Sequence, residues 1–255
     1  MGGVSWLAQC ALDFLIDERC HACGNTGGFQ NYEEAHRFSA PVNVFSLGSF
    51  QLKTRLLCVS CAGKVALWTG PVFLPASRDT LSRVYPAFVT DERLLVLIHL
   101  LKFARRERIA PWLATAMAEH LPDFSSSEAV LVPVPMERSA QLRRGFNQAE
   151  KIARALATGW KLPLETRALV KVRATRAQST LGREERLVNV EDAFRADASA
   201  VRSRDIILVD DLVTTGATLR ACAAALSAAG ARQVVAVAVG YRDQRGPEDG
   251  RFPQS

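Results

Sequence analysis

No stretch of the sequence is apolar for long enough to cross a membrane. The most apolar run, Leu94 to Leu101, has only eight residues and contains His99, whereas a membrane-spanning helix needs about 20. A basic region at the N-terminus is also missing, and Asp13 and Asp17 interrupt the apolar stretch there. A secretory signal peptide is therefore not expected, and the sequence predicts a soluble cytoplasmic protein without membrane insertion.

Aromatic residues are scarce, at 7% of the chain, which gives little support for a surface that stacks on single-stranded nucleic acid. The composition of a disordered chain is absent as well, because 48% of the 255 residues are hydrophobic and 23% are charged. This length accommodates one or two domains of about 100–200 residues each.

The net charge of +6 is concentrated in one segment of the chain. Residues 137–187 contain 12 basic and 5 acidic residues. A local basic field of this kind suits an anionic partner, such as a phosphate group or a nucleic acid, and it equally suits a solvated surface.

Four of the six cysteines form two C-x-x-C pairs. The pairs are Cys20 with Cys23 and Cys58 with Cys61, and 34 residues separate them. Two such pairs supply the four thiolates that tetrahedral Zn²⁺ accepts, so we predict a structural zinc site with no open coordination position. The alternatives are two disulfides, which a reducing cytosol disfavours, a redox pair, or buried thiols.

Hydrophobic periodicity predicts an α/β architecture behind the cysteine pairs. Helices are expected over 91–103, 111–120, 147–157 and 218–229, and strands over 129–134, 169–172, 205–210 and 233–240. Strands separated by helices predict a mostly parallel sheet flanked by helices. The predicted domains are 1–70, with a helix at 4–16 and the zinc module, and 71–255, with a loose tail from about 243. The residues of the helix at 91–103 expected to face the core are Leu94, Leu95, Ile98 and Leu101.

The richest chemical signal lies in residues 206–219, Ile-Ile-Leu-Val-Asp-Asp-Leu-Val-Thr-Thr-Gly-Ala-Thr-Leu. An apolar strand delivers the carboxylates of Asp210 and Asp211 to its C-terminal end, where open α/β sheets bind ligands. A loop and a helix N-terminus follow, and the unpaired backbone N–H groups there suit a phosphate. Other interpretations are direct Mg²⁺ binding by the acids and simple helix capping by a threonine. The candidate phosphate ligands are Thr214, Thr215, Gly216, Ala217 and Thr218.

The run Val-Asp-Asp-Leu-Val-Thr-Thr-Gly-Ala-Thr resembles the phosphoribosyl pyrophosphate (PRPP) signature of type I phosphoribosyltransferases. The resemblance implies the fold of that family, with Asp210 and Asp211 on the ribose hydroxyls and the threonine-glycine loop around the 5′-phosphate. It also implies that Mg²⁺ bridges the ribose and the pyrophosphate.

Further blocks in the same order narrow the resemblance to the ComF family. They are Val132-Pro-Val-Pro-Met136, Arg143-Arg-Gly-Phe-Asn-Gln-Ala149, Lys171-Val-Arg-Ala-Thr-Arg-Ala-Gln-Ser179, Glu184-Glu-Arg-Leu-Val-Asn189 and Ala193-Phe194. With the four-cysteine module in front, the resemblance covers nearly the whole chain. It implies a PRPP-binding, phosphoribosyltransferase-like protein that acts in DNA uptake during natural transformation.

Basic side chains are expected to meet the pyrophosphate. Arg143 and Arg144 follow the strand that ends near residue 133, and Lys102 closes a predicted helix on the same side. The resemblance implies that the basic segment 173–186 is a loop that closes over PRPP, with Arg173 and Gln178 as candidates to reach it.

Three functions remain open at the level of sequence. The first is PRPP binding in DNA uptake, with DNA-uptake helicase or processing proteins as partners. The second is an active Mg²⁺-dependent phosphoribosyltransferase with an unidentified acceptor. The third is a non-catalytic PRPP sensor or an adaptor that binds single-stranded DNA, whose affinity would depend on salt.

Overall fold

The computed structural model describes residues 20, 23–24, 61, 64–70, 80–81, 83–104, 106–107, 109–125, 127–172 and 193–242. Six strands and six helices follow one another in this part of the chain. The strands are β1 (Val84–Val89), β2 (Val130–Pro133), β3 (Leu169–Lys171), β4 (Phe194–Ala196), β5 (Asp205–Val213) and β6 (Gln233–Tyr241). The helices are α1 (Glu92–Phe103), α2 (Ile109–His120), α3 (Arg138–Arg144), α4 (Gln148–Trp160), α5 (Ala198–Val201) and α6 (Ala217–Ala228).

A four-stranded parallel sheet with the order β1-β6-β5-β2 forms the centre of the fold. The two middle strands, β5 and β6, have nine residues each and are apolar over most of their length, as is typical of parallel strands covered on both faces. The strands β3 and β4 pair antiparallel in a separate two-stranded sheet. The predicted fold class, a mostly parallel sheet flanked by helices, is confirmed.

Each face of the sheet carries its own hydrophobic core. Ile207 and Val209 of β5 pack in the core that contains the buried faces of α1, α2 and α4. Ile206 and Leu208 pack in the opposite core, beneath α6. Neighbouring residues of a strand point to opposite faces, so β5 divides its side chains between the two cores.

The helices α1 and α4 each begin at a residue whose side chain caps the helix. The carboxylate of Asp91 accepts a hydrogen bond of 2.9 Å from the backbone N–H of Leu94 and so caps α1. Asn147 caps α4 by accepting from the N–H of Ala149 at 3.1 Å, and its amide donates to the carbonyl of Val134 at 2.9 Å. This second bond ties the start of α4 to the C-terminal end of β2.

Every predicted helix and strand from residue 91 onward is present, and the structure also contains elements that were not predicted, among them β4 and α5. Strand β5 runs to Val213, three residues beyond the predicted end, because β6 continues to pair with it. Strand β1 was not predicted, since Pro86 interrupts its pattern; the proline is accommodated because β1 is the outermost named strand. In α1, Leu97 is buried, whereas Leu95 is partly exposed. The segment that carries Arg143 forms the helix α3, which was not predicted.

The chain before β1 adds a short antiparallel connection to the sheet. Leu67 bridges Phe88, the N–H of Trp68 donates to the carbonyl of Ala87 at 3.0 Å, and the N–H of Val89 donates to Ala66 at 2.9 Å. In the described part of the chain no helix has both the length and the hydropathy to span a bilayer. The boundary near residue 70 stays a prediction, and the helix at 4–16 and the tail from 243 lie outside the described residues.

Candidate functional site

The two adjacent acids lie where β5 extends beyond the end of its neighbour β2. The last residue pair between these strands is Pro133 with Val209, and the N–H of Val134 donates to the carbonyl of Val209 at 2.9 Å. On the other side, β6 still pairs with Asp210. The acids therefore stand at the carboxyl edge of the sheet, beside the end of β2, where open α/β folds bind their ligands.

Asp210 and Asp211 lie beside different elements of the fold, although their two side chains also contact each other. Asp211 follows Val209 on the side of α1, is 5% exposed, and forms an ion pair with the ammonium group of Lys102. Asp210 follows Leu208 on the side of α6, where its charge helps to raise the pKa of the buried Cys222 thiol, after the larger effect of burial. A ligand that contacts both acids therefore lies across the end of β5.

The two carboxylates differ in their electrostatic state. Burial raises the pKa of Asp210 well above its ordinary value, and the neighbouring charge of Asp211 raises it further. The hydrogen bond of 2.8 Å from the backbone N–H of Asp211 to Asp210 Oδ1 and the charge of Lys102 act in the opposite direction. A cation or a hydrogen-bond donor placed beside Asp210 would relieve this unfavourable ionisation.

The loop after β5 is shaped for a close backbone approach. Gly216 is buried and has a φ of 71°, in the left-handed region that glycine adopts at little cost. The Thr215 hydroxyl accepts a long hydrogen bond of 3.4 Å from the N–H of Ala217. The first backbone hydrogen bond of α6 runs from the N–H of Arg220 to the carbonyl of Gly216 at 2.9 Å. The N–H groups in the turn before Arg220 therefore have no acceptor inside the helix and point toward the loop. The predicted phosphate ligands occupy this turn.

The basic residues predicted for the site divide into inner and outer ones. Lys102 closes α1 and contacts Asp211. The guanidinium of Arg144 lies 5.1 Å from the centre of the Phe103 ring and bonds the side chain of Gln148. Burial lowers the pKa of Arg144, Asp211 opposes this change, and Arg143 adds to it. Lys102 and Arg144 thus surround Asp211, whereas Arg143 is exposed.

A further cation, which the sequence patterns did not assign to the site, lies on the other face. Lys171 ends β3, and burial lowers its pKa, while the charges of Glu137 and Cys222 oppose this effect. The charge of Asp210 also acts on the pKa of Cys222. Lys171 therefore lies on the same side of the sheet as Asp210. Its position at the start of the Lys171–Ser179 block was the signal in the sequence. Arg173 and Gln178, the predicted loop contacts, lie outside the described residues.

Three cysteines of the two C-x-x-C pairs come together. The sulfur atoms of Cys20, Cys23 and Cys61 all lie within 4.8 Å of one another. Sulfurs around a tetrahedral zinc, each about 2.3 Å from the metal, are about 3.8 Å apart, so the three thiols fit a metal ion. The N–H of Gly24 donates to the carbonyl of Cys20 at 2.7 Å and closes the turn of the first pair. Cys58 lies outside the described residues.

Residues 107–253 match the phosphoribosyl transferase domain. The chain belongs to this family. The match falls within the predicted second domain and includes both acids and the threonine-glycine loop. It confirms the family expected from the segment 206–219.

Similar curated proteins carry names that refer to DNA. The chain is 34% identical over 146 residues to the DNA utilization protein YhgH of Salmonella typhi, covering 55% of this chain and 64% of that protein. It is 30% identical over 151 residues to competence protein F of Haemophilus influenzae, covering 56% of this chain and 66% of that protein. It is 33% identical over 121 residues to competence protein ComFC of Streptococcus pneumoniae, covering 48% and 51%. These names confirm the resemblance to the ComF family, although the chain spans less than two thirds of each relative.

Among solved structures, the allosteric regulatory enzyme of purine biosynthesis matches with a TM-score of 0.34 at 25% identity, covering 51% of this chain and 25% of that one.

Proposed function

We propose that the carboxyl edge of β5 binds PRPP together with Mg²⁺. The observation that carries the proposal is the arrangement of two carboxylates directly before a glycine-containing loop and the N-terminus of α6. Carboxylates accept hydrogen bonds from ribose hydroxyls, and a helix N-terminus binds a phosphate. PRPP carries both groups on one molecule. Membership of the phosphoribosyl transferase domain family supports the same ligand.

In this proposal each element has its own part of the ligand. Asp210 and Asp211 hold the ribose, and the turn from Thr214 to Thr218 holds the 5′-phosphate. Lys102 and Arg144 face the pyrophosphate, since both surround Asp211. Arg143, near the end of α3, and Arg173 and Gln178, in the basic segment 173–186, would join them. Mg²⁺ would supply positive charge to the pyrophosphate and would favour the ionised form of Asp210.

A second metal belongs to the cysteine cluster. We propose that Zn²⁺ is bound by Cys20, Cys23, Cys58 and Cys61, because the sulfurs of three of these residues already lie within 4.8 Å of one another. Four protein ligands leave no position for a substrate. The metal therefore stabilises the fold and does not take part in the chemistry.

At the level of the cell, we propose a cytoplasmic role in DNA uptake or DNA utilization. The names of the relatives from Haemophilus influenzae and Salmonella typhi support this role. The basic segment 137–187 supports an anionic partner, either PRPP itself or single-stranded DNA delivered by uptake and processing proteins. Binding of single-stranded DNA that weakens steeply with salt would indicate a DNA adaptor.

The experiment that tests the site is calorimetric titration of PRPP with Mg²⁺ into the full chain. The Asp210→Asn/Asp211→Asn variant should lose binding, while wild type binds. Asp205→Asn is the matched control, because Asp205 lies on the same strand at its opposite end and pairs with Arg232. Wild type that is folded and metal-loaded but shows no heat of binding would refute the proposal.

Turnover is tested separately from binding. Wild type is incubated with PRPP, Mg²⁺ and a panel of nucleobases, and released pyrophosphate is measured. Release that requires both a base and Asp211 identifies a phosphoribosyltransferase. Binding without release identifies a PRPP sensor.

A further inference from the structure

The helix α1 touches both candidate centres. Its first turn contacts the cysteine cluster through Arg93, and its last turn contacts the acids of β5 through Lys102. A helix of 12 residues is about 18 Å long. One rigid element therefore spans the distance between the metal site and the phosphoribosyl site.

At the first turn, one arginine connects the helix cap to a cysteine of the cluster. Arg93 Nη1 donates to Asp91 Oδ2 at 2.8 Å, and Asp91 Oδ1 accepts from the N–H of Leu94 at 2.9 Å. The guanidinium of Arg93 also lies beside the sulfur of Cys61, close enough to interact with it. The position of this sulfur is therefore linked, through two side chains, to the backbone at the start of α1.

The backbone reinforces this connection. Residues 66–68, which follow Cys61 closely, pair with β1, and β1 leads directly into the Asp91 cap. Cys20 and Cys61 pack in the same hydrophobic core as α1. A displacement of Cys61 is thus transmitted by packing as well as by the arginine.

At the last turn, the helix sets the position of a charge. Lys102 is paired with Asp211, and the guanidinium of Arg144 lies over the ring of the neighbouring Phe103. The body of the helix is held by four buried side chains, Leu94, Leu97, Ile98 and Leu101. Because close-packed interiors transmit strain, a shift or rotation at the first turn would move Lys102 relative to Asp211.

We propose that α1 couples metal binding at the cysteine cluster to PRPP binding at the end of β5, with Arg93 as the positioning residue. The coupling rests on the proposed PRPP site. Metal bound to Cys61 holds the sulfur that Arg93 contacts, and the helix then holds Lys102 and Arg144 in place for the pyrophosphate. Coupling between two binding sites is reciprocal, so PRPP must tighten metal binding by the same factor.

The test measures Zn²⁺ affinity of the full chain against a competing chelator, with and without PRPP and Mg²⁺. We expect PRPP to tighten Zn²⁺ binding by about fivefold or more in wild type. Arg93→Ala should still bind one metal but should lose this tightening. The control is Arg154→Ala, which removes an arginine that is ion-paired within α4, to Glu150 at 2.7 Å. A wild type that binds PRPP with an unchanged Zn²⁺ affinity, or an Arg93→Ala variant that keeps the tightening, overturns the proposal.

A second measurement separates this coupling from the PRPP site itself. Hydrogen exchange of the backbone amides of 100–104 is followed before and after the metal is removed, without any PRPP. We expect faster exchange at this last turn of α1 in wild type, and no further change on metal removal in Arg93→Ala. If metal removal changes the exchange rate at the first turn of α1 and leaves the last turn unchanged, the coupling is contradicted, even in a protein that binds PRPP. A coupled response in a chain that fails to bind PRPP would refute the proposed ligand and retain the mechanical connection.

Discussion

The ammonium group of Lys102 forms an ion pair with the carboxylate of Asp211, and both groups are largely withdrawn from water. The side chain of Lys102 is 21% exposed and that of Asp211 is 7% exposed. Lys102 comes from the last turn of α1, and Asp211 comes from the end of β5. The pair therefore joins a helix to the strand that carries the candidate ligand site.

Removal of the lysine should destabilise the fold. Loss of one partner from a buried ion pair leaves an uncompensated charge and costs about 3–5 kcal/mol. Because Lys102 is partly exposed, we expect Lys102→Met to lower the free energy of unfolding by about 3 kcal/mol. Urea denaturation at pH 7 measures the change.

Two further variants test the cause. Asp211→Asn in the Lys102→Met background should recover most of the lost stability, because the buried carboxylate that lost its lysine partner is then no longer charged. Lys151→Met removes an exposed pair with Glu107 and should change stability by less than about 1 kcal/mol. Equal losses in the Lys102 and Lys151 variants would contradict the role of burial.

The pH dependence of stability should carry a contribution from Asp210. Its pKa is raised in the folded protein above the ordinary value of 3.8. As pH rises above 3.8, the unfolded chain releases the proton while the folded chain retains it, so stability falls until the folded carboxyl also ionises. Asp210→Asn should remove this penalty, raise the melting temperature at pH 7, and flatten the profile above pH 4.

Calorimetry between pH 4 and pH 8 checks the profile. We expect the melting temperature to rise by about 2–4 °C for each kcal/mol gained in the free energy of unfolding. Asp205→Asn should have the opposite sign, because Arg232 lowers the pKa of Asp205. Its loss should stay below about 1 kcal/mol, since the pair is exposed to solvent. A less stable Asp210→Asn at pH 7 would mean that its ionised form is favoured in the fold.

Metal content should distinguish the paired cysteines from Cys222, which lies outside the two pairs. Cys20→Ser and Cys58→Ser should each reduce bound zinc after dialysis against a chelator, since each removes a predicted ligand. Cys222→Ala should retain one zinc per chain, because Cys222 is a residue of α6 and is buried in the other core. Elemental analysis gives the ratio, and full zinc retention in Cys58→Ser would remove that residue from the ligand set.

Two glycine substitutions should have opposite effects on stability. A Cβ at Gly240 would lie 2.5 Å from Thr90 Oγ1 and 2.7 Å from Leu94 Cδ2, so Gly240→Ala should cost about 1–3 kcal/mol. Gly159 lies inside α4, and a Cβ added there would have open space within 4 Å, so Gly159→Ala should stabilise by about 0.5–1 kcal/mol. Thermal denaturation of both variants decides whether β6 and α1 are as closely packed as these distances indicate.

Local sequence patterns were sufficient to locate most elements and to point to both candidate centres. The periodicity of β5 and α6 is a property of neighbouring residues, and the carboxylate pair with its threonine-glycine loop is continuous in the chain. The spacing of two C-x-x-C pairs likewise predicts ligands without knowledge of the fold. Strand β1 could not be predicted in this way, because Pro86 is compatible with a strand only near the edge of a sheet, and the edge is defined by other strands.

The sequence by itself determined the fold family, the two adjacent acids and the two cysteine pairs, because each of these is encoded over a few adjacent residues. Only the tertiary structure decided that Asp211 pairs with Lys102 while Asp210 lies near Cys222. It also decided that Arg144 lies near Asp211 while Arg143 is exposed. It also placed Arg93 against Cys61. These relations join residues far apart in the chain, and the packing of α1 against the sheet brings them together. A hydrophobic pattern predicts which side of a helix is buried. It does not predict which residues the two ends of the helix contact, because those contacts depend on the fold.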